Sequence, residues 1–95
     1  MKQIIVTRHP ALIEYLKNNN YVNDDVEHIS HANIEDIEGA HVFGILPLWL
    51  ASYCDRLTEV QLRLPPEKRG VELSIKDIEF YAVKPRTYTI REIKE

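Results

Sequence analysis

Short apolar runs rich in β-branched residues alternate with helix-patterned segments along the chain, and this alternation restricts the fold more than any other feature. Lys2 to Thr7 reads as a first strand, and Ala11 to Asn18 follows it with Leu12, Ile13, Tyr15 and Leu16 at helical spacings. Asn18-Asn19-Asn20 is the stop signal. Val26 to Ser30 is a second, weaker strand, and the polar connection from His31 to Gly39 holds one helical turn around Asn33 to Ile37. His41 to Ile45 has the composition of a buried strand, after which Pro47 starts a helix reaching about Leu57. The alternating run Glu59 to Leu64, closed by Pro65-Pro66, predicts a fourth strand with one polar face. Ser74-Ile75-Lys76-Asp77 matches a capping box with Asp in place of the usual Glu, opening a helix to about Val83. Arg86 to Ile93 is a last alternating strand, placed at an edge. The expected fold is therefore one α/β domain over residues 1–95, with a mostly parallel sheet of about five strands flanked by helices.

A chain of 95 residues buries roughly 60% of its unfolded surface or somewhat more, enough for one modest core and no second catalytic domain. No apolar stretch approaches the roughly 18 residues of a membrane span, and Met1 to Val6 is too short an apolar run for a secretory signal. The expected location is the cytosol. The single cysteine, Cys54, cannot form an internal disulfide, which fits a reducing compartment.

The net charge of −3 is unevenly spread. No Lys or Arg occurs between Lys17 and Arg56, while that interval carries Asp24, Asp25, Glu27, Glu35, Asp36, Glu38 and Asp55. A long nucleic acid requires a basic face with many phosphate contacts, so this middle segment argues against one. A compact anion held at one spot remains compatible with the pattern.

In open α/β sheets ligands bind beyond the carboxyl ends of the strands. Two of those ends carry the same mark. Strand one runs out in Thr7-Arg8-His9-Pro10 and strand three in Gly44-Ile45-Leu46-Pro47. A proline near the first helical position lacks an N–H that the helix does not need, so each corner is expected to start a helix. Two helix N-termini then point their free N–H groups into one crevice and favour an anion, with Gly44 letting a ligand approach the backbone. Arg8 adds a planar donor fork suited to phosphate, and His9 a group that exchanges a proton near neutral pH. Lys68-Arg69-Gly70, after strand four, supplies a second clamp.

These residues also admit plainer roles. Arg8 and His9 suit a surface ion pair and a helix cap, Pro47 a helix starter, and Lys68 to Gly70 a polar loop. Trp49, in the first turn of its helix, either stacks on a base or faces the core. His28 and His31 on a strand point to opposite faces, so no metal site is expected from them. An Arg-His pair after a first strand resembles the RHG motif of the histidine phosphatases, but Pro10 replaces the glycine and the chain is far shorter than those domains.

The segments IIVTRHPALIEYL, HVFGILPLWLA and LPPEKRGVELS, in this order and spacing, closely resemble the small CRISPR-associated Csx family numbered sixteen of type III systems, over nearly the whole chain. Departures from its pattern are Ala11, where glycine is common, and Tyr15, where tryptophan is common. The resemblance implies a Rossmann-like (CARF-like) domain acting on a cyclic oligoadenylate messenger, with cyclic tetra-adenylate the expected ring. The implied activity is that of a ring nuclease. It cuts by attack of a ribose 2′-OH on the adjacent phosphate, without a metal or other cofactor, and leaves a 2′,3′-cyclic phosphate. Arg8 and His9 are then the expected catalytic residues, with Thr7, Pro10, Gly44, Leu46, Pro47, Trp49, Arg69 and Gly70 around the ligand. The expected assembly is a homodimer with the ring on its two-fold axis. A module that sequesters the messenger without cutting it is the alternative; a structural subunit docking through the last strand is a third.

Overall fold

The computed structural model describes all 95 residues. In chain order the elements are β1 (Gln3–Val6), α1 (Pro10–Asn18), β2 (Glu27–Ile29), α2 (Ile34–Ile37), β3 (His41–Gly44), α3 (Leu48–Ala51), β4 (Arg56–Glu59), α4 (Ile75–Tyr81) and β5 (Arg86–Tyr88). A 3₁₀ turn, Pro66–Lys68, lies between β4 and α4. The strands form one sheet in the order β2-β1-β3-β4-β5, parallel except for β5, which runs antiparallel to β4 at the edge. This is the α/β, Rossmann-like domain expected.

Side chains of a strand alternate between faces, and here that period separates two half-cores. Ile4, Val6 and Val42 face one side and pack with Ile37, Leu50, Ala51 and Leu57, beneath α2 and α3. Ile5 and Phe43 face the other side and meet Leu12, Leu16 and Ile78 of α1 and α4. Ile4, Ile5, Leu16, Ile37, Ile78 and Val42 are each less than 2% exposed. Burial of such a side chain contributes about 1.5–3 kcal/mol, so these six anchor both faces of the sheet.

The local signals for α1 and α4 hold. Pro10 is the first residue of α1, and Lys17 sits in its last turn, where a cation suits the carbonyl end. α1 ends at Asn18, and two residues on Asn20 takes a φ of 60°, with Tyr21 N–H bonded back to Leu16 O at 3.0 Å. The capping box at Ser74 forms as expected: Asp77 N–H donates to Ser74 Oγ at 3.1 Å, and Ser74 N–H donates to Asp77 Oδ2 at 3.0 Å. The carboxyl of Asp77 is held below its ordinary pKa, first by that backbone N–H and then by Lys68.

Three boundaries differ from expectation. The helix expected from Pro47 to Leu57 is the single turn α3, with Pro47 as its N-cap. Ser52 Oγ donates to Trp49 O at 2.7 Å and Cys54 N–H to Ala51 O at 3.3 Å, which closes the turn. The Ala40 carbonyl then accepts from Asp55 and Arg56, drawing the returning chain into the sheet. As a result β4 begins at Arg56, and only Glu59 is shared with the strand expected over Glu59 to Leu64. The remainder of that run leaves the sheet and pairs with the end of α4, through Val83 N–H to Gln61 O at 2.8 Å and Arg63 N–H to Tyr81 O at 3.0 Å. The last strand stops at Tyr88, although Ile90 still packs against the core.

Candidate functional site

The strand order changes direction between β1 and β3, because the chain leaves β1 toward β2 on one side and returns to β3 on the other. At such a switch point the connections following the two strands diverge and leave a crevice beyond their carboxyl ends. A cleft of about 1140 Å³ opens there. Thr7, Arg8, His9 and Pro10 enter it from β1, Ile45 to Pro47 and Trp49 from β3, and Lys68, Arg69 and Gly70 from the loop after β4. The two corners and the distant basic loop singled out in the sequence therefore share one cavity, Gly44 excepted.

The β1 corner is built by a short polar turn. Thr7 N–H donates to Ile29 O at 3.0 Å, extending the β1–β2 pairing by one residue. Thr7 Oγ1 in turn accepts from His9 N–H at 3.1 Å. His9 is the N-cap of α1 with extended backbone, yet its side chain makes no capping hydrogen bond. Its imidazole is exposed and lines the cleft. Arg8 is exposed too, and its guanidinium meets His31 from the connection after β2, with Nη2 at 3.0 Å from Nε2 and 3.4 Å from Nδ1. A guanidinium has donors only, so in this contact a ring nitrogen of His31 has to act as the acceptor.

At the β3 corner the glycine answers a steric demand inside the sheet. Gly44 has a φ of +135°, and a Cβ built on it would collide with the carbonyl oxygen of Val6. It pairs with Val6 in the β1–β3 ladder, and its residue type is set by the approach of β1. Leu46 is buried in the core beneath α3 and also lines the cleft. Trp49 is 63% exposed and faces the cleft, away from the core. With Ile45 and Leu48, both mostly exposed, it forms an apolar rim beside the corner. As α3 has only four residues, its dipole adds little, and the expected second helix N-terminus reduces to a single turn.

On the facing side, Lys68 is tied to Asp77 at 3.3 Å and so fixes the loop to the start of α4. Arg69 lines the cleft without a side-chain partner. Gly70 adopts a φ of 77° in open space, which lets the loop turn over the cleft. Glu59 and Glu72 also line the cavity, so its charge is mixed, with the cations concentrated at the β1 corner and the loop.

The other histidines stand elsewhere. His28 lies in β2, paired with Ile5, and does not line the cleft. His41 begins β3 at the opposite end of the sheet, bonded to Thr58 Oγ1 at 2.6 Å and stacked on Phe43 at 4.2 Å between ring centroids. Burial, and secondarily Arg56, lowers its pKa from the ordinary 6.5. No group of three or more His, Cys, Asp and Glu side chains is gathered closely enough to hold a metal ion. The residue that sequence reasoning missed is His31. Weighed only as a metal ligand with His28, it carried the same signal as Arg8, namely a place just beyond the carboxyl end of a strand.

Residues 4–91 match a protein-family model described as "Putative CRISPR-associated protein (Cas_VVA1548)". No curated protein and no solved structure gives a match.

Proposed function

The chain belongs to the Cas_VVA1548 family of CRISPR-associated proteins, and from that premise we propose that it is a ring nuclease for a cyclic oligoadenylate, with cyclic tetra-adenylate as substrate. The closer likeness to the Csx family numbered sixteen, carried by the TRHP, G-x-LP and P-x-E-x-R-G-x-EL segments, directs the reading to that messenger. The observation that supports it most is the joining of Arg8, His9, Arg69 and Trp49 around one cleft at the β1/β3 switch point. Its volume lies above the usual 300–1000 Å³ of small-ligand pockets and suits part of a nucleotide ring.

In the proposed reaction the ribose 2′-OH attacks the neighbouring phosphorus, the bond to the 5′-oxygen breaks, and a 2′,3′-cyclic phosphate remains. The protein has to hold nucleophile and leaving group in line and to stabilise charge on the phosphorane. Arg8 is the donor for the phosphorane oxygens. His9, whose imidazole is not engaged in capping, gives a proton to the leaving 5′-oxygen. Arg69 holds a neighbouring phosphate, while Trp49 and Ile45 present an apolar surface to a base. A ring of four nucleotides can adopt two-fold symmetry, so two chains enclosing one ring would cut at opposite phosphates and release linear di-adenylates.

The test is incubation of the purified protein with radiolabelled cyclic tri-, tetra- and hexa-adenylate in EDTA, followed by separation of products. Linear products from the four-membered ring are expected, with one ring bound per two chains by calorimetry. Recovery of intact ring in a tight complex would make the protein a sequestering module, and a strict requirement for a divalent ion would overturn the mechanism. Arg8→Ala should weaken binding by about 2–3 kcal/mol, as for hydrogen bonds to charged groups. His9→Ala should leave binding nearly unchanged and slow single-turnover cleavage on the order of 10²-fold.

A further inference from the structure

Transfer of a proton from the attacking 2′-OH is the step that Arg8 and His9 leave unassigned. Resting on the ring-nuclease reading, we infer that His31 is the general base that accepts this proton at Nε2. The base must lie within hydrogen-bond reach of the ribose hydroxyl next to the scissile phosphate, and so close to the group that holds that phosphate. His31 is already in contact with Arg8, at 3.0 Å from Nε2 to Nη2, and it lines the same cleft. Because a guanidinium only donates, that contact uses a ring-nitrogen lone pair as acceptor, the same kind of group that a base needs, and Nε2 is the nearer of the two nitrogens.

The other candidates are less well placed. Glu59 ends β4, two strand spacings from β1 in the order β1-β3-β4, which is roughly 10 Å from the start of the Arg8 turn. His41 lies at the amino end of β3 with its Nε2 engaged by Thr58. His28 does not line the cleft. The other ionisable side chains that line the cavity are Arg8 and His9 from the β1–α1 turn, Glu59 at the end of β4, and Lys68, Arg69 and Glu72 from the loop before α4.

A bound phosphate draws the guanidinium of Arg8 away from His31 and frees the Nε2 lone pair toward the adjacent ribose. The proton of the 2′-OH passes to Nε2 as the O2′–P bond forms. The P–O5′ bond breaks, and O5′ takes its proton from His9. One proton enters the protein and one leaves it, and no oxidant or further reactant is needed. Solvent exchange between turnovers resets both imidazoles.

Single-turnover cleavage of cyclic tetra-adenylate across pH, in wild type, His31→Ala and His31→Gln, tests the assignment. Both variants alter an exposed side chain and should fold, which thermal melting checks. Wild type should show a bell-shaped profile, and both variants should lose on the order of 10²-fold together with the acid limb of the bell. Glutamine keeps an acceptor for Arg8 but cannot take a proton at neutral pH. Wild-type rates in His31→Gln would therefore overturn the base and leave a positioning residue for Arg8. A ring carrying a 5′-bridging sulfur as leaving group, which needs no acid, should rescue His9→Ala and leave His31→Ala slow; rescue of both would also overturn the assignment. An inactive wild type sinks the ring-nuclease reading and this inference with it. An active wild type whose rate survives His31→Ala sinks the inference alone.

Discussion

Histidine and arginine adjoin across neighbouring strands at both ends of the sheet, and the two places are built in opposite ways. At the amino end His41 stands opposite Arg56, where β3 and β4 begin. Its ring stacks on Phe43 and bonds to buried Thr58, which is bonded in turn to Thr87 of β5 at 2.8 Å. Arg56 is paired with Asp55 at 2.8 Å. At the carboxyl end Arg8 and His31 are exposed and bond only to each other. The same residue types close a seam between strands in one place and stand open to a ligand in the other. What separates them is whether the fold supplies polar partners, since satisfied groups order the structure and unsatisfied ones remain able to bind.

The largest expected effect concerns the frame that holds the open end apart. Gly44→Ala places a methyl against the Val6 carbonyl at a φ that L-residues rarely adopt, and should cost about 3 kcal/mol or more in urea unfolding. Gly70→Ala, left-handed but in open space, should cost only about 1–2 kcal/mol. Equal losses would mean that the β1–β3 contact does not set the corner.

The closed end is probed next, by Thr58→Val. This near-isosteric change removes the hydroxyl shared by His41 and Thr87, with an expected loss of about 1–2 kcal/mol. Arg8→Ala, by contrast, should alter stability by no more than about 0.5 kcal/mol, because nothing buried depends on it. Should the two variants unfold at different denaturant concentrations in the reverse order, the distinction between a structural and an open pair fails.

The smallest effect is a pH dependence of stability. The folded pKa of His41 is lowered, so the unfolded chain binds the extra proton between that value and 6.5. Stability from this group is complete above about pH 6.5 and declines as pH falls toward the folded value. His41→Phe should flatten the slope in that window when unfolding is followed from pH 7.5 downward. Asp77, whose pKa also lies below its ordinary 3.8, gives stability that is complete above about pH 3.8 and is lost only as the pH falls toward its lower folded value, outside this window. A slope unchanged by His41→Phe would assign the titration to another group.

The α/β class, the parallel sheet, α1, α4 and the corner at Pro10 were legible in the sequence because each rests on neighbours a few residues apart. Periodicity places Ile4 and Ile5 on opposite faces, Ser74 caps through Asp77 three residues on, and Pro10 meets the first turn that follows it. The site was legible only as separate pieces. Thr7 to Pro10, Pro47 and Arg69 could be nominated from composition and place, but their sharing of a cleft depends on β3 lying beside β1. The true extent of β4 was hidden, since its start is determined by a carbonyl of Ala40, fifteen residues or so before it, and the alternation of Glu59 to Leu64 serves a contact with α4. The partnership of Arg8 with His31 spans 23 residues and exists only because β2 pairs with β1. Local stereochemistry and side-chain pattern decide which elements form; the order in which they pair decides which exposed side chains face one another, and no short-range signal encodes that order.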